Sequence, residues 1–283
     1  MSGLGTIITA VVTPFDAQGR VDEASFVDLL AHLAASGSDG FVVAGTTGEG
    51  STLSDEEHLA LVELAIREKP AGTTIIANAG SNDTRHSIHL TERATELGAD
   101  ATLNVVGYYN RPNRAGIVAH YEAVSSATDK PIVLYNIPSR TTLNIDPELL
   151  AELAQIPHVD AVKQANSAEL QLVDGLEVYA GNDDILARTL DLGGAGGILV
   201  ASHLVGPQLA EMATATPERR AEIDATLRDL YAILGITVNP IPIKAALALA
   251  GRPVGGLRLP LVEADEDQRS EIARVLDGLG LLA

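Results

Sequence analysis

The sequence predicts an α/β fold in which eight parallel strands close into a (β/α)8 TIM barrel, followed by a C-terminal helical appendage. Short runs rich in β-branched residues alternate with longer amphipathic segments over roughly the first 200 residues. Strands that alternate with helices favour a parallel sheet with crossover helices. The runs number eight, and eight such units close a barrel of this kind. After residue 216 only helical patterns remain.

A doubly wound open sheet is the alternative arrangement for alternating strands and helices. It would lead us to expect a Gly-x-Gly-x-x-Gly turn after the first strand, and the segment "VVTPFDAQG" is not one. No linker or low-complexity tract precedes the helical segment. We therefore expect residues 1–216 to form a barrel that carries the active site and residues 217–283 to pack on it as helices.

The individual elements follow from local patterns. The predicted strands are residues 6–13, 40–45, 73–80, 100–106, 131–136, 159–164, 176–181 and 196–201. Among the intervening helices, Ser54 is a predicted N-cap before an acidic first turn, and Gly98 is a predicted C-cap. Asp146 followed by a proline marks another helix start. The C-terminal helical patterns cover residues 217–235, 240–251 and 265–280.

Composition narrows the class of protein. The chain has 283 residues, 46% of them hydrophobic, which is enough to bury a large core. It has no cysteine, so disulfides and thiolate metal sites are excluded. A formal charge of −19 argues against nucleic acid, whose phosphates need clustered basic groups. No signal peptide or membrane span is predicted, and we expect a cytoplasmic protein.

Polar residues follow several predicted strands at their carboxyl ends. In a TIM barrel these ends and the loops after them carry the active site. They are Thr46, Thr47 and Glu49 after the second strand, Tyr108 and Tyr109 after the fourth, Tyr135, Asn136 and Arg140 at the fifth, Lys163 at the sixth and Gly181 to Asp184 after the seventh. We expect these groups to converge on one face of the barrel.

Lys163 is one of four lysines in a chain with fifteen arginines. The period of two along a strand predicts that it shares a face with Val159 and Ala161, at the top of an apolar interior. Scarce water there favours the neutral amine, which attacks carbonyls to form a Schiff base. A lone lysine at a strand end more often reaches to the rim. Tyr135, on the neighbouring strand, could shuttle protons for such an imine, although a core tyrosine is the alternative interpretation.

Two further features are suited to bind carboxylates. The turn "GTTGE" offers consecutive backbone N–H groups and two hydroxyls, and it is also typical of a plain βα turn with a threonine cap. Arg140 could hold a carboxylate bidentately, although surface arginines are commoner. His86 and His89 lie three residues apart on a predicted helix without a third ligand, so we expect no metal site.

Several motifs together resemble the dihydrodipicolinate synthase family of the pyruvate-dependent class I aldolase superfamily. They are "GTTGEGSTL", "GYYNRP", "VLYNIPSRT", "AVKQAN", "GNDD" and "NPIPIKAAL" followed by "LRLP". The resemblance runs from about Gly5 to the C-terminus. "GTTGE", the "YN-P" strand and the strand-6 lysine mark the superfamily, and "PSRT" and "NPIP-K" point to the synthases.

The resemblance implies a role for each site residue. Lys163 would form the Schiff base with pyruvate, Tyr135 would transfer protons, and Thr47 would link Tyr135 to Tyr109 from a neighbouring subunit. The substrate contacts would be Thr46 and Thr47 for the pyruvate carboxylate, Arg140 for the carboxylate of aspartate semialdehyde, and Gly181 and Ile198 through their backbones. The family is commonly a tetramer built as a dimer of dimers, and its chemistry on the route to lysine and diaminopimelate needs no cofactor.

The chain departs from the family pattern at several positions. Gln164 replaces an acid, Gly107 stands where a proline usually precedes the tyrosine pair, and Thr142 replaces a glycine. Asp55 and His86 stand where lysine-regulated members tend to have His and Glu, so weak or absent inhibition by lysine is predicted. The remaining alternatives are an aldolase for a sialic acid or a 2-keto-3-deoxy sugar acid, and a barrel that binds a keto acid without turning it over.

Overall fold

A computed structural model describes residues 3–283 and shows a closed barrel of eight parallel strands, which confirms the predicted fold class. The strands are β1 (Ile7–Ala10), β2 (Gly40–Val43), β3 (Thr74–Asn78), β4 (Ala101–Val105), β5 (Ile132–Asn136), β6 (Val159–Gln164), β7 (Glu177–Ala180) and β8 (Gly196–Leu199). Each strand pairs with the next, and β8 pairs with β1. Every strand lies within its predicted run.

Helices surround the barrel and continue after it. They are α1 (Glu23–Ala35), α2 (Asp55–Glu68), α3 (Thr84–Leu97), α4 (Arg114–Ser125), α5 (Pro138–Thr141), α6 (Pro147–Leu153), α7 (Leu186–Asp191), α8 (Ser202–Thr214), α9 (Pro217–Ile233), α10 (Ile241–Leu249) and α11 (Glu266–Gly278). The predicted caps are present: Ser54 forms a capping box with Glu57, Gly98 ends α3 at a φ of 95°, and Asp146 accepts from the Leu149 N–H. Within residues 3–283, no helix is long and apolar enough to cross a membrane.

The core has two layers, one inside the barrel and one between the strands and the helices. The pairing of β6 with β5 contains an irregularity that decides which β6 side chains belong to each layer. Ala161, like Val133 on β5, packs inside the barrel, whereas Val159 packs in the outer layer between strands and helices. The pairing of β5 with β6 shifts by one residue, so that Ile132 pairs with Val159 but Val133 pairs with Ala161. An extra residue in a strand reverses which side chains face inward. The prediction that Val159 shares the face of Lys163 is therefore wrong, while the prediction for Ala161 is confirmed.

A buried ion pair ties the C-terminal helices to the turn after β2. Lys244 on α10 places its Nζ 2.6 Å from Oε1 of Glu49, with side-chain exposures of 2% and 0%. The Lys244 ammonium also donates to the Gly256 carbonyl and lies 4.3 Å from the centroid of the Phe15 ring. Burial lowers the pKa of Lys244, and the Glu49 carboxylate opposes that shift. The ion pair thus joins residues nearly 200 positions apart in the chain.

Arg258 forms a second link beside this ion pair. Its guanidinium donates to both carboxylate oxygens of Glu57, at 2.6 and 2.8 Å, and to the Thr52 carbonyl. Because the carboxylate accepts these bonds, the pKa of Glu57 falls from 4.5 to about 2. A carboxyl whose pKa is lower in the folded state stabilises the fold above its unfolded pKa, and this stabilisation is lost as the pH falls towards the folded pKa.

We therefore expect the free energy of unfolding of the Glu57→Gln variant to depend less on pH below about pH 4.5 than that of the wild-type protein. Between about pH 4.5 and pH 2 the free energy of unfolding of the wild-type protein should fall by about 1–2 kcal/mol more than that of the variant. This range allows for solvent screening, because 35% of the Glu57 side chain is exposed to water. Urea unfolding at several pH values measures the difference. Glu56→Gln, which removes the same charge from an exposed neighbour, should retain the wild-type slope. Parallel profiles for all three proteins would contradict the prediction.

Candidate active site

A cavity of about 540 Å³ opens at the carboxyl ends of the barrel strands. Most of the residues predicted from the sequence line it: Thr46, Thr47, Tyr135, Arg140, Lys163 and Gly181. Further lining residues come from the C-terminal segment, including Arg228 and Tyr231 on α9 and Asn239 before α10. The barrel and the C-terminal helices therefore build the cavity together.

Lys163 and Tyr135 form the innermost part of the cavity. They are directly paired residues on β6 and β5, and both side chains point to the same face. Lys163 is 5% exposed, and its Nζ lies 4.4 Å from the centroid of the Tyr135 ring. A π face attracts an ammonium, and among the described residues no carboxylate lies within 4 Å of the Lys163 ammonium to form an ion pair. The side chain is thus buried, accessible from the cavity and placed beside a phenol.

The turn after β2 brings Thr46 and Thr47 to the cavity. Ala44 and Glu49 adopt left-handed φ values of 54°, which bends the chain sharply. Gly50 allows this bend, because a Cβ there would lie 1.9 Å from the Ala44 carbonyl oxygen. The two threonines consequently sit at the start of a compact loop whose polar groups face the cavity.

Asn239 organises the site, and the sequence analysis gave it no role. Its side-chain Nδ2 donates to Oγ1 of Thr47 at 2.9 Å, and its carbonyl accepts from Nη2 of Arg140 at 3.2 Å. No hydrogen bond in residues 3–283 joins Thr47 to Tyr135, so the threonine contacts the C-terminal segment instead. The motif "NPIPIK" was the available signal, since it was part of the family resemblance.

Arg140 lies on the short helix α5 with its side chain exposed at the cavity. Thr142 ends that helix with a φ of 56°, a left-handed conformation that glycine adopts without strain. Gly107 has a φ of 65°, which proline cannot adopt, so the loop before the tyrosine pair differs in shape from one that carries proline. Thr142 therefore keeps a conformation that suits glycine, and only the departure at Gly107 requires a different loop shape.

Gln164 lies outside the cavity in a buried amide network. Its Oε1 accepts from Nδ2 of Asn136 at 3.0 Å and from the Asn166 N–H at 2.9 Å. Asn136 in turn accepts from the Ile145 N–H. This network holds together the loops after β5 and β6. Because the Gln164 amide is neutral, it can be buried there without a positive partner.

Two residues with predicted roles, Tyr109 and Ile198, do not line the cavity, and neither do Glu49, Tyr108 and Asn136, which were also expected to converge there. Tyr109 is 93% exposed on the loop after β4, with a left-handed φ of 71°. Ile198 packs inside the barrel and is 1% exposed, whereas Val200, two residues further on, reaches the cavity.

The barrel and its polar cavity, with an amine and a phenol at the base, are consistent with a (β/α)8 enzyme of the class I aldolase type. The chain belongs to the dihydrodipicolinate synthetase family, whose model matches residues 3–279.

Individual members of the family are similar to this chain over nearly its full length. The 4-hydroxy-tetrahydrodipicolinate synthase of Thermosynechococcus vestitus is 43% identical over 294 aligned positions, covering 100% of this chain and 99% of that protein. The crystal structure of the synthase from Cyanidioschyzon merolae with lysine bound has a TM-score of 0.93 and 39% identity, covering 99% of each chain. A chloride-inhibited synthase from Acinetobacter baumannii complexed with pyruvate has a TM-score of 0.95 and 34% identity, covering 99% of this chain and 100% of that one.

Proposed function

We propose that this protein condenses pyruvate with L-aspartate 4-semialdehyde, the activity of a 4-hydroxy-tetrahydrodipicolinate synthase, on the route to diaminopimelate and lysine. The observation that carries the proposal is Lys163, buried beside Tyr135 at the base of a cavity with Arg140 at its mouth. The similarity of the whole chain to synthases of that name supports it.

The first half-reaction uses the base of the cavity. The Lys163 amine attacks the ketone carbon of pyruvate, and loss of water gives a protonated imine. We assign proton transfer during these steps to the phenol of Tyr135, and the 4.4 Å between Lys163 Nζ and the centroid of the Tyr135 ring supports this role. The N–H groups and hydroxyls of the Thr46–Thr47 turn are suited to hold the pyruvate carboxylate. The imine then withdraws electrons, so a methyl proton is lost and an enamine forms.

The second half-reaction uses the mouth of the cavity. The enamine carbon attacks the aldehyde carbon of the second substrate while Arg140 holds its carboxylate. The aldehyde oxygen takes up a proton to become a hydroxyl, and the ammonium of that substrate gives up a proton to become an amine. This amine attacks the imine carbon, the bond from this carbon to Lys163 breaks, and the lysine leaves as the free amine. Gly181 and Ile198 are proposed to contact the substrates through their backbones.

A coupled assay tests the choice of second substrate. We expect turnover of pyruvate with aspartate semialdehyde and no cleavage of N-acetylneuraminate or of a 2-keto-3-deoxy sugar acid, because Arg140 supplies a charged partner for the substrate carboxylate. Cleavage of a sugar acid without turnover of aspartate semialdehyde would favour the related aldolases. Absence of any turnover with an intact imine would favour a barrel that only binds a keto acid.

We propose a homo-oligomer, a dimer of dimers, in which Tyr109 of one subunit completes the proton relay of another. The 93% exposure of Tyr109 supports this, because a tyrosine this exposed contributes to a site only by docking on a partner. The described segments include no membrane-spanning helix, and for a biosynthetic enzyme with bacterial relatives of this kind we propose a cytoplasmic location.

Tyr109→Phe is expected to reduce kcat by roughly a hundredfold, because the ring can still dock while the hydroxyl is lost from the relay. Pyruvate should still form the imine, which mass spectrometry after borohydride reduction detects. Unchanged turnover would remove Tyr109 from the proposed mechanism.

Inhibition by lysine is predicted to be weak. Asp55 and His86 contact each other, with His86 Nε2 at 3.0 Å from Asp55 Oδ1, and the other ring nitrogen of His86 lies 3.1 Å from Ser81 Oγ. These groups are therefore already engaged within the chain. Steady-state rates measured against added lysine test the prediction, and sub-millimolar inhibition would contradict it.

A further inference from the structure

Lys163, Tyr135, the Thr46–Thr47 turn and Arg140 offer no negative group to the ammonium of the second substrate. Under the proposed function, the aldehyde of aspartate semialdehyde meets the enamine on Lys163, and its carboxylate meets Arg140. The same molecule carries an ammonium that enters the cavity with it. A charged group that loses water without gaining a partner is strongly disfavoured, so the cavity should supply a negative group.

Asp183 lies in the cavity wall just after β7, in the turn Asp183–Ile185. Its Oδ1 accepts two backbone N–H bonds, from Val200 and Ala201, each at 2.9 Å. These bonds fix the carboxylate against the start of α8. Among residues 3–283, no hydrogen bond or ion pair reaches the second oxygen, Oδ2. The side chain is thus held rigidly by one oxygen and leaves the other available.

The charges around Asp183 change during the reaction. Burial raises the pKa of Asp183, whereas the two backbone N–H bonds and the Lys163 ammonium on β6 oppose that shift. On α9, Arg228 is already paired with Asp224, and the Tyr231 hydroxyl is buried without a hydrogen-bond partner. Once Lys163 has become a neutral enamine, Asp183 loses the attraction of the Lys163 ammonium. An ammonium from the incoming substrate restores the balance.

We propose that the Asp183 carboxylate binds the ammonium of the second substrate, opposite Arg140, and so selects an amino aldehyde acid over a sugar acid. This inference rests on the proposed function. Asp184, the other carboxylate in the cavity wall, is exposed to water, which weakens any charge pair that it forms. Asp183 is the more enclosed of the two, and only its side chain is anchored by the turn after β8.

Asp183→Asn separates the proposed role from a structural one. An asparagine Oδ1 can still accept the two backbone N–H bonds, while the second oxygen and the negative charge are lost. We expect the KM for aspartate semialdehyde to rise by tenfold or more, since hydrogen bonds to charged groups contribute about 1.5–3 kcal/mol. Pyruvate should form the imine as in the wild-type protein. The Ki of 4-oxobutanoate, which is the same aldehyde acid without the amine, should change less than about twofold.

Asp39→Asn is the matched control. Asp39 also accepts two backbone N–H bonds, from Thr6 and Ile7 at 2.8 Å each, but it lies at the opposite end of the barrel. It loses the same charge and should leave the KM for aspartate semialdehyde unchanged. If Asp184→Asn raises this KM and Asp183→Asn does not, or if the Asp183 variant weakens 4-oxobutanoate equally, the inference is overturned.

The wild-type protein alone provides a second measurement that does not depend on a variant that folds. It should bind aspartate semialdehyde at least about tenfold more tightly than 4-oxobutanoate, and equal affinities would overturn the inference. If the wild-type protein does not turn over aspartate semialdehyde, the proposed function fails and the inference falls with it. If it does turn it over and the Asp183→Asn variant has an unchanged KM, only the inference fails.

Discussion

Lys163→Arg is expected to reduce turnover by about a thousandfold or more, the scale of loss when a covalent nucleophile is removed. Arginine retains the positive charge and the contact with the Tyr135 ring. Its guanidinium does not lose its proton in a protein, so it cannot attack the ketone of pyruvate. Steady-state kcat measures the loss, and circular dichroism establishes that the variant is folded.

Lys130→Arg is the matched control for this substitution. Lys130 lies in the loop before β5, at the opposite end of that strand from the cavity, and the Lys130→Arg variant should retain wild-type turnover. A Lys163→Arg variant with more than about a tenth of the wild-type kcat would contradict the assignment of Lys163 as the nucleophile, because it would show that no imine is required.

Lys244→Met is expected to lower the free energy of unfolding by about 3–5 kcal/mol, because it leaves the Glu49 carboxylate buried without its counter-charge. The same change should loosen the turn that presents Thr46 and Thr47, since Glu49 belongs to that turn and donates its N–H to the Thr46 carbonyl. The denaturation midpoint in urea measures the loss of stability. A higher KM for pyruvate would report that the loosened turn binds the pyruvate carboxylate less well.

The double variant Glu49→Gln with Lys244→Met tests whether the loss comes from the unpaired charge. Removing both charges should recover part of the stability. The sum of the losses in free energy of unfolding in the two single variants should therefore exceed the loss in the double variant. An exposed ion pair serves as the control: Arg93→Met, which breaks the pair with Glu96 on α3, should cost less than about 1 kcal/mol. A Lys244→Met variant as stable as Arg93→Met would contradict the prediction.

The fold was predictable because its signals are local and repeated. Each strand carries a β-branched run, and caps such as Ser54 and Gly98 mark the helix ends between them. The shift in β6 was not predictable, because Val159 and Ala161 look alike in the sequence and only the pairing with β5 shows which one faces inward.

The sequence predicted which reactive side chains line the cavity, but it did not predict the residues that hold them in position. Lys163 and Tyr135 were predicted because a parallel barrel brings its strand ends together. Asn239 was assigned no role, because it reaches Thr47 from a segment 192 residues further along the chain, and no local pattern reports such a contact. Asp183 was noted only as part of a strand-end loop, since its backbone partners follow a different strand.

The Schiff base on Lys163 is most directly tested by borohydride reduction of the wild-type protein in the presence of pyruvate. Digestion and mass spectrometry should find the mass of a reduced pyruvate adduct on the peptide that contains Lys163 and on none of the peptides with Lys69, Lys130 or Lys244. An unmodified Lys163 peptide, or an adduct on another lysine, would contradict the proposed mechanism.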